Sequence, residues 1–244
     1  MKTTLILMGL FAGSLAAQTS INKTVPVRPG QNLKMNFDYP EKIRISTWEK
    51  NEISIQGTVS INGGENDEAF SLEVNNTDGR VLIKNLIKNM KSLPERITVM
   101  KDGNKTTFRN KSEWKKYQEE HGKSAYNMIN QGVDMDIELE IKVPANLETS
   151  LVSVYGMVEV KNFKGPLIVE ATYGGVDATL TESSMGELIA ETNYGHIYSG
   201  LVLKFDASNV REEDFHTLVN AKPGVGPRYR FESPYGNVYL RKSN

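Results

Sequence analysis

The 244-residue chain contains no cysteine, only three histidines, and no long apolar run beyond its first residues. Without cysteine there are no disulfides, no thiolate metal ligands and no nucleophilic thiol. His121, His196 and His216 do not fall at metal-ligand spacing within one element. Gly-x-Ser-x-Gly, phosphate-binding loops and dinucleotide fingerprints are all missing. The formal net charge is −1, with acids and bases interspersed. That balance argues against nucleic acid as a partner. These absences together predict a protein that is not an enzyme and holds no cofactor or metal.

What is present begins with an address. Lys2, the apolar stretch Leu5 to Ala12, and Ser14-Leu15-Ala16-Ala17-Gln18 have the charge, apolar core and small-residue exit of a secretory signal peptide. The run is too short to cross a bilayer as a helix. Cleavage is expected after Ala17 or Gln18, so residues 1–18 form the signal and the mature chain is exported, to the periplasm or the cell surface. No cysteine follows the run to carry a lipid. An exported domain without disulfides must be stabilised by core burial.

Strand signals dominate the mature chain. Leu33, Met35 and Phe37 alternate with polar residues, as do Ile43 and Ile45, then Ile53, Ile55, Val59 and Ile61. Phe70 to Val74 and Val81 to Ile83 flank Asp78-Gly79, a hairpin signal; Ile97 to Val99 and Thr107 flank Asp102-Gly103. Residues 110–131 break the pattern. Ser112 can cap a helix carrying Trp114, Tyr117 and His121, followed by Tyr126 or Met128. Such an insertion is read either as cover for a sheet edge or as a flap for a periplasmic partner. Asp134, Asp136, Glu138 and Glu140 then alternate with apolar residues. A single strand spaces such carboxylates roughly 6.5–7 Å apart, too far to close around one ion unaided, so a solvated face is expected.

A repeat emerges near Leu147. Tyr-Gly occurs at Tyr155-Gly156, Tyr173-Gly174, Tyr194-Gly195 and Tyr235-Gly236, at separations of 18, 21 and 41 residues. Periods near 20 are those of solenoid coils. Aligned on the tyrosine, Leu151, Val169, Ala190 and Phe231 stand four residues before. Ser153, Ala171, Thr192 and Ser233 stand two before, Val158, Val176, Ile197 and Val238 three after, and Val160, Ala178, Ser199 and Leu240 five after. Each unit is therefore expected to hold one strand before the corner and one after it, with glycine taking corner angles denied to other residues. Three before the tyrosines stand Val152, Glu170, Glu191 and Glu232. Glu170, Glu191 and Glu232 form a candidate outward binding face, with Glu170 and Glu191 expected one rung apart. Between Gly195 and Tyr235 the pattern degrades. Leu201 to Phe205 reads as a possible strand, Asn209 to Phe215 as a charged loop or helical turn, and the whole as one irregular coil. The last coil falls at Tyr229 to Arg241.

The fold expected is all-β: a short right-handed parallel β-solenoid or β-helix over 146–244, continuous with an N-terminal β region over 19–145 that carries the helical insertion. Pro29-Gly30, Lys142-Val143-Pro144 and the recurrent Tyr-Gly-x-Val coils resemble the DUF4097 adhesin-type family, exported bacterial β-repeat proteins, and most of all its Bacteroidota members. The resemblance covers most of the mature chain and is most specific over Ile141 to Ala178. It implies a β-helical or β-roll fold, an envelope location and no catalytic motif. Three functions follow as expectations: an adhesin-like or scaffolding envelope protein, a carbohydrate-binding or polysaccharide-processing β-helix, and a periplasmic regulator acting through the Trp114 helix. An unknown envelope protein or a surface glycan is the expected partner, with end-to-end self-association possible through open coil ends.

Overall fold

A computed structural model of the chain describes residues 18–122, 128–203 and 210–243. Residues 1–17 of the expected signal peptide, Lys204-Phe205 and Asn209 lie outside the described residues. The fold is mostly β, with one α-helix among the described residues. Five strand pairs, each joined across a tyrosine corner, form its rungs. They are β2 (Asn32–Phe37) with β3 (Lys42–Trp48), β11 (Thr149–Ser153) with β12 (Met157–Val160), and β13 (Leu167–Ala171) with β14 (Gly175–Leu180). The remaining two are β15 (Glu187–Thr192) with β16 (Ile197–Ser199), and β19 (Arg228–Ser233) with β20 (Asn237–Lys242). The first strands of all five lie in one sheet and the second strands in another, each rung parallel to its neighbours.

The register aligns the repeat columns. Met35, Leu151, Val169, Phe231 and Ala190 lie side by side in that order, and all are fully buried. On the other sheet Ile43, Val158, Val176, Val238 and Ile197 lie side by side in the same way, the first four fully buried and Ile197 partly so. The inward faces of both sheets feed one apolar core. That core runs across residue 145, because β2 and β3 form the rung next to β11 and β12.

Three features differ from a simple parallel solenoid. Both sheets are mixed. Beyond the first rung, β10 (Met135–Pro144) lies parallel to β3, but β4 (Glu52–Ile61) and β1 (Thr19–Pro26) follow antiparallel. The other sheet continues through β6 (Arg80–Ile87) to the antiparallel β5 (Phe70–Asn76). Second, the stretch expected to be an irregular coil is an antiparallel hairpin. Its strands are β17 (Val210–Glu213) and β18 (His216–Ala221), with β18 antiparallel to β15; Leu201 to Leu203 is not a strand. Third, spatial order departs from chain order. The β19/β20 rung sits between β13/β14 and β15/β16, giving nine strands in the order β17-β18-β15-β19-β13-β11-β2-β6-β5 and eight in the order β1-β4-β10-β3-β12-β14-β20-β16.

The insertion forms a small unit of its own. Strands β7 (Arg96–Lys101), β8 (Asn104–Phe108) and β9 (Met128–Gly132) make a separate sheet. The helix α1 (Lys111–His121) packs Trp114 and Tyr117 on Phe108, beside Ile97 and Val99, rather than covering an edge of either large sheet. Asn110, not Ser112, is the cap: its Oδ1 accepts from the Ser112 and Glu113 backbone N–H groups, both at 3.0 Å. The helix stops at Gly122, φ +76°, so Met128 lies on β9 rather than on the helix, and Tyr126 lies outside the described residues.

Candidate functional site

The rungs turn at one corner, and every corner carries a tyrosine. Tyr155, Tyr173, Tyr235 and Tyr194 stack in that order with ring centroids 5.4, 5.0 and 5.3 Å apart and planes within 15° of parallel. The stack runs on to Tyr39, 6.2 Å from Tyr155, and to Phe215 of the β17–β18 turn, 5.6 Å from Tyr194. These separations are those of favourable offset stacking, worth about 0.5–1.5 kcal/mol per pair. The four Tyr-Gly tyrosines remain 53–62 % exposed. Six aromatic rings thus form an unbroken ridge along the stacking axis. Contiguous apolar surface of this kind marks interaction sites more often than scattered single residues do.

The ridge follows from the glycines beside it, though not through unusual angles. None of Gly156, Gly174, Gly195 and Gly236 has a positive φ. Each instead leaves room for the carbonyl of the neighbouring rung. A Cβ would stand 2.0 Å from the Pro40 oxygen at Gly156 and 2.1 Å from the Gly156 oxygen at Gly174. The corresponding gaps are 2.5 Å from Gly174 O at Gly236 and 1.9 Å from Gly236 O at Gly195. The expectation of special corner angles is corrected accordingly: close approach between rungs demands the glycine.

Beside the ridge runs the acidic column. Glu170 is paired in register with Glu232, and Glu232 with Glu191. Glu170 and Glu191 are therefore two rungs apart, with Glu232 between them, because the last coil is inserted. Sequence spacing also hid the cation that compensates this column. Arg230 Nη2 donates to Glu191 at 2.6 Å and to Glu232 at 3.0 Å, and His216 Nε2 lies 3.0 Å from Glu191 Oε1. Arg230 is two residues from Glu232 on one strand face, a signal visible once the last coil is known to lie between the others. Among the described residues the Glu170 carboxylate has no ion-pair or hydrogen-bond partner. His196 is exposed next to Tyr198, whose ring stacks on Tyr239 at 5.1 Å.

Three of the four alternating acids in and just before β10 meet bases. Glu138 accepts from Arg44 at 2.9 Å, Asp134 pairs with Lys105 at 2.6 Å, and Glu140 lies 3.1 Å from Lys142. The hydrogen bond that Arg44 donates to Glu138, with the charges of Glu138 and the nearby Glu159, holds the Arg44 guanidinium above its ordinary pKa. Among the described residues no group of three or more His, Asp or Glu is placed to hold a metal ion, and no helix is long and apolar enough to cross a membrane.

No protein-family profile matches the chain, and no curated protein matches it. Two solved structures align with it over most of its length. One is a putative cell adhesion protein from Clostridium sporogenes, with 12 % identity, 93 % of this chain and 100 % of that chain covered, and a TM-score of 0.48. The other is a putative adhesin from Bacteroides fragilis, with 13 % identity, 95 % and 100 % coverage, and a TM-score of 0.24.

Proposed function

We propose that this protein is a non-enzymatic, exported component of the bacterial cell envelope, of the DUF4097 adhesin type, that works as an adhesin-like or scaffolding surface. Its stacked β-solenoid core presents the tyrosine ridge to an extended partner. The single observation that carries this reading is the ridge itself: six contiguous rings, four of them more than half exposed. A core needs no such surface. A partner lying along the stacking axis meets the same phenol edge and hydroxyl at every rung, so affinity adds up over rungs without any deep pocket.

The test is a triple variant, Tyr155→Ala, Tyr173→Ala and Tyr235→Ala, displayed on cells and compared with the unaltered protein for attachment to envelope fractions and to a glycan array. Loss of attachment is expected from a protein that is still folded at the assay temperature, with its melting temperature lowered only by the lost ring stacking. Attachment that survives the triple change removes the ridge from consideration. Fractionation and protease shaving of intact cells check location; recovery from the cytoplasm alone sinks the envelope reading.

A carbohydrate-binding role is the second reading, favoured by the Glu170 carboxylate, which stands three residues before Tyr173 and has no partner among the described residues. Aromatic edges next to a free carboxylate suit the mixed apolar and hydroxyl surface of a sugar chain. Glu170→Gln lowers binding to individual glycans under this reading and leaves protein partners untouched.

A further inference from the structure

We infer that the C-terminal coil, Arg228 to Lys242, is an exchangeable insert whose slot takes the same residues of a second copy of this chain. The slot is defined by four strand edges. On one sheet β19 pairs with β13 on one side and β15 on the other; on the second sheet β20 pairs with β14 and β16. Residues 187–221 precede the coil in the chain yet lie beyond it in space. Before the coil is seated, β15 and β16 have no described strand between them and the third rung. Their columns fit any strand pair that carries the right side chains at the right steps.

The features that seat the coil lie on the coil itself and on the walls of its slot, so each is reproduced when the coil comes from another molecule. Tyr229, Phe231, Ser233, Val238 and Leu240 are buried between the flanking rungs. Arg228 pairs with Glu187 at 3.0 Å and Arg230 with Glu191 at 2.6 Å on one side, and Arg241 grips both oxygens of Asp177 at 2.6 and 2.9 Å on the other. A foreign strand would have to match this set; a second copy does so by identity.

The connection permits the exchange. Lys222 to Pro227 links β18 to β19 with two prolines and two glycines and no helix or strand. Extended, six residues reach about 20 Å, against roughly 10 Å for the two strand spacings crossed within one molecule. An insert on a hinge of this kind, flanked by open edges until it arrives, is the arrangement from which domain-swapped assemblies form.

The absence of cysteine makes the test clean. Glu170 on β13 and Glu232 on β19 are register partners, as are Thr179 on β14 and Arg241 on β20. Full-length E170C and E232C chains are denatured, mixed and refolded together at several concentrations under mild oxidation. The expected result is a disulfide-linked dimer of one chain of each kind, rising several-fold with concentration and absent when the two folded proteins are mixed without unfolding. The E170C/E232C double variant, refolded dilute, reports that the geometry closes within one chain. T179C with R241C reads the same exchange on the other sheet. E170C with K84C, three strands apart on the same face, measures chance collisions. Linkage no greater than this control in both pairs, or equal linkage between chains never unfolded, overturns the inference.

Discussion

Tyr229 shows how one side chain can serve both packing and polarity. Its ring lies in the core, and its hydroxyl donates to the Phe163 carbonyl at 3.0 Å. Burial raises its pKa above the ordinary tyrosine value, while hydrogen bonding from the Gly165 backbone pulls the other way. The folded state therefore holds this proton more tightly than the unfolded chain does. The resulting stability is fully present below the unfolded pKa of about 10 and is lost as pH rises through the folded value. Tyr229→Phe should cost about 1 kcal/mol at neutral pH through the unpaired Phe163 carbonyl. It should also flatten the alkaline fall in stability, which urea midpoints measured from neutral pH upward would reveal; parallel curves for the two proteins refute the assignment. At the corner, Gly174→Ala places a Cβ 2.1 Å from the Gly156 oxygen. The rungs must then separate, and a loss of about 1–3 kcal/mol is expected from overpacking, whereas Gly79→Ala, with nothing within 4 Å of its Cβ, should cost far less by the same thermal melt.

At the scale of elements, the repeat columns were legible because inward side chains obey a strict period of two and the corner fixes their phase. The first rung was not, for a definite reason. Tyr39 is followed by Pro40, and its first inward residue after the turn, Ile43, lies four positions on rather than the three of Val158, Val176 and Val238. One extra residue in the turn put this rung out of alignment and hid Tyr39 as a ladder member. The helix was legible in its aromatic spacing, but the cap was misplaced because Asn110 and Ser112 are both good capping residues and only backbone geometry separates them. The helix buries none of its residues and shares a small cluster apart from the main core. Asn110→Ala should therefore cost about 1 kcal/mol locally. Faster amide exchange over residues 111–121, with the global melting temperature unmoved, is the expected signature; a matching global shift would show instead that the small unit is coupled to the core.

For the whole molecule, what sequence order conceals is which rung touches which. Local columns look equally good whether Ala190 stacks on Val169 or on Phe231, since all three are apolar and in phase; only the global arrangement of long-range pairs decides between them. The consequence is that the β19/β20 coil joins the end rung and the β17–β18 hairpin to the body. Phe231 is the largest fully buried side chain of that coil, in register with Val169 on one side and Ala190 on the other. Phe231→Ala removes contacts with both neighbours at once and should cost about 3–5 kcal/mol. The loss should be uneven. Residues 187–199 and 216–221, reached from the core through this coil, should lose most of their hydrogen-exchange protection, while β4 and β10 at the far end, held by their own antiparallel and parallel ladders, should keep theirs until global unfolding. Equal loss at both ends would mean that the stack opens as one unit and that the inserted coil is no more critical than any other rung.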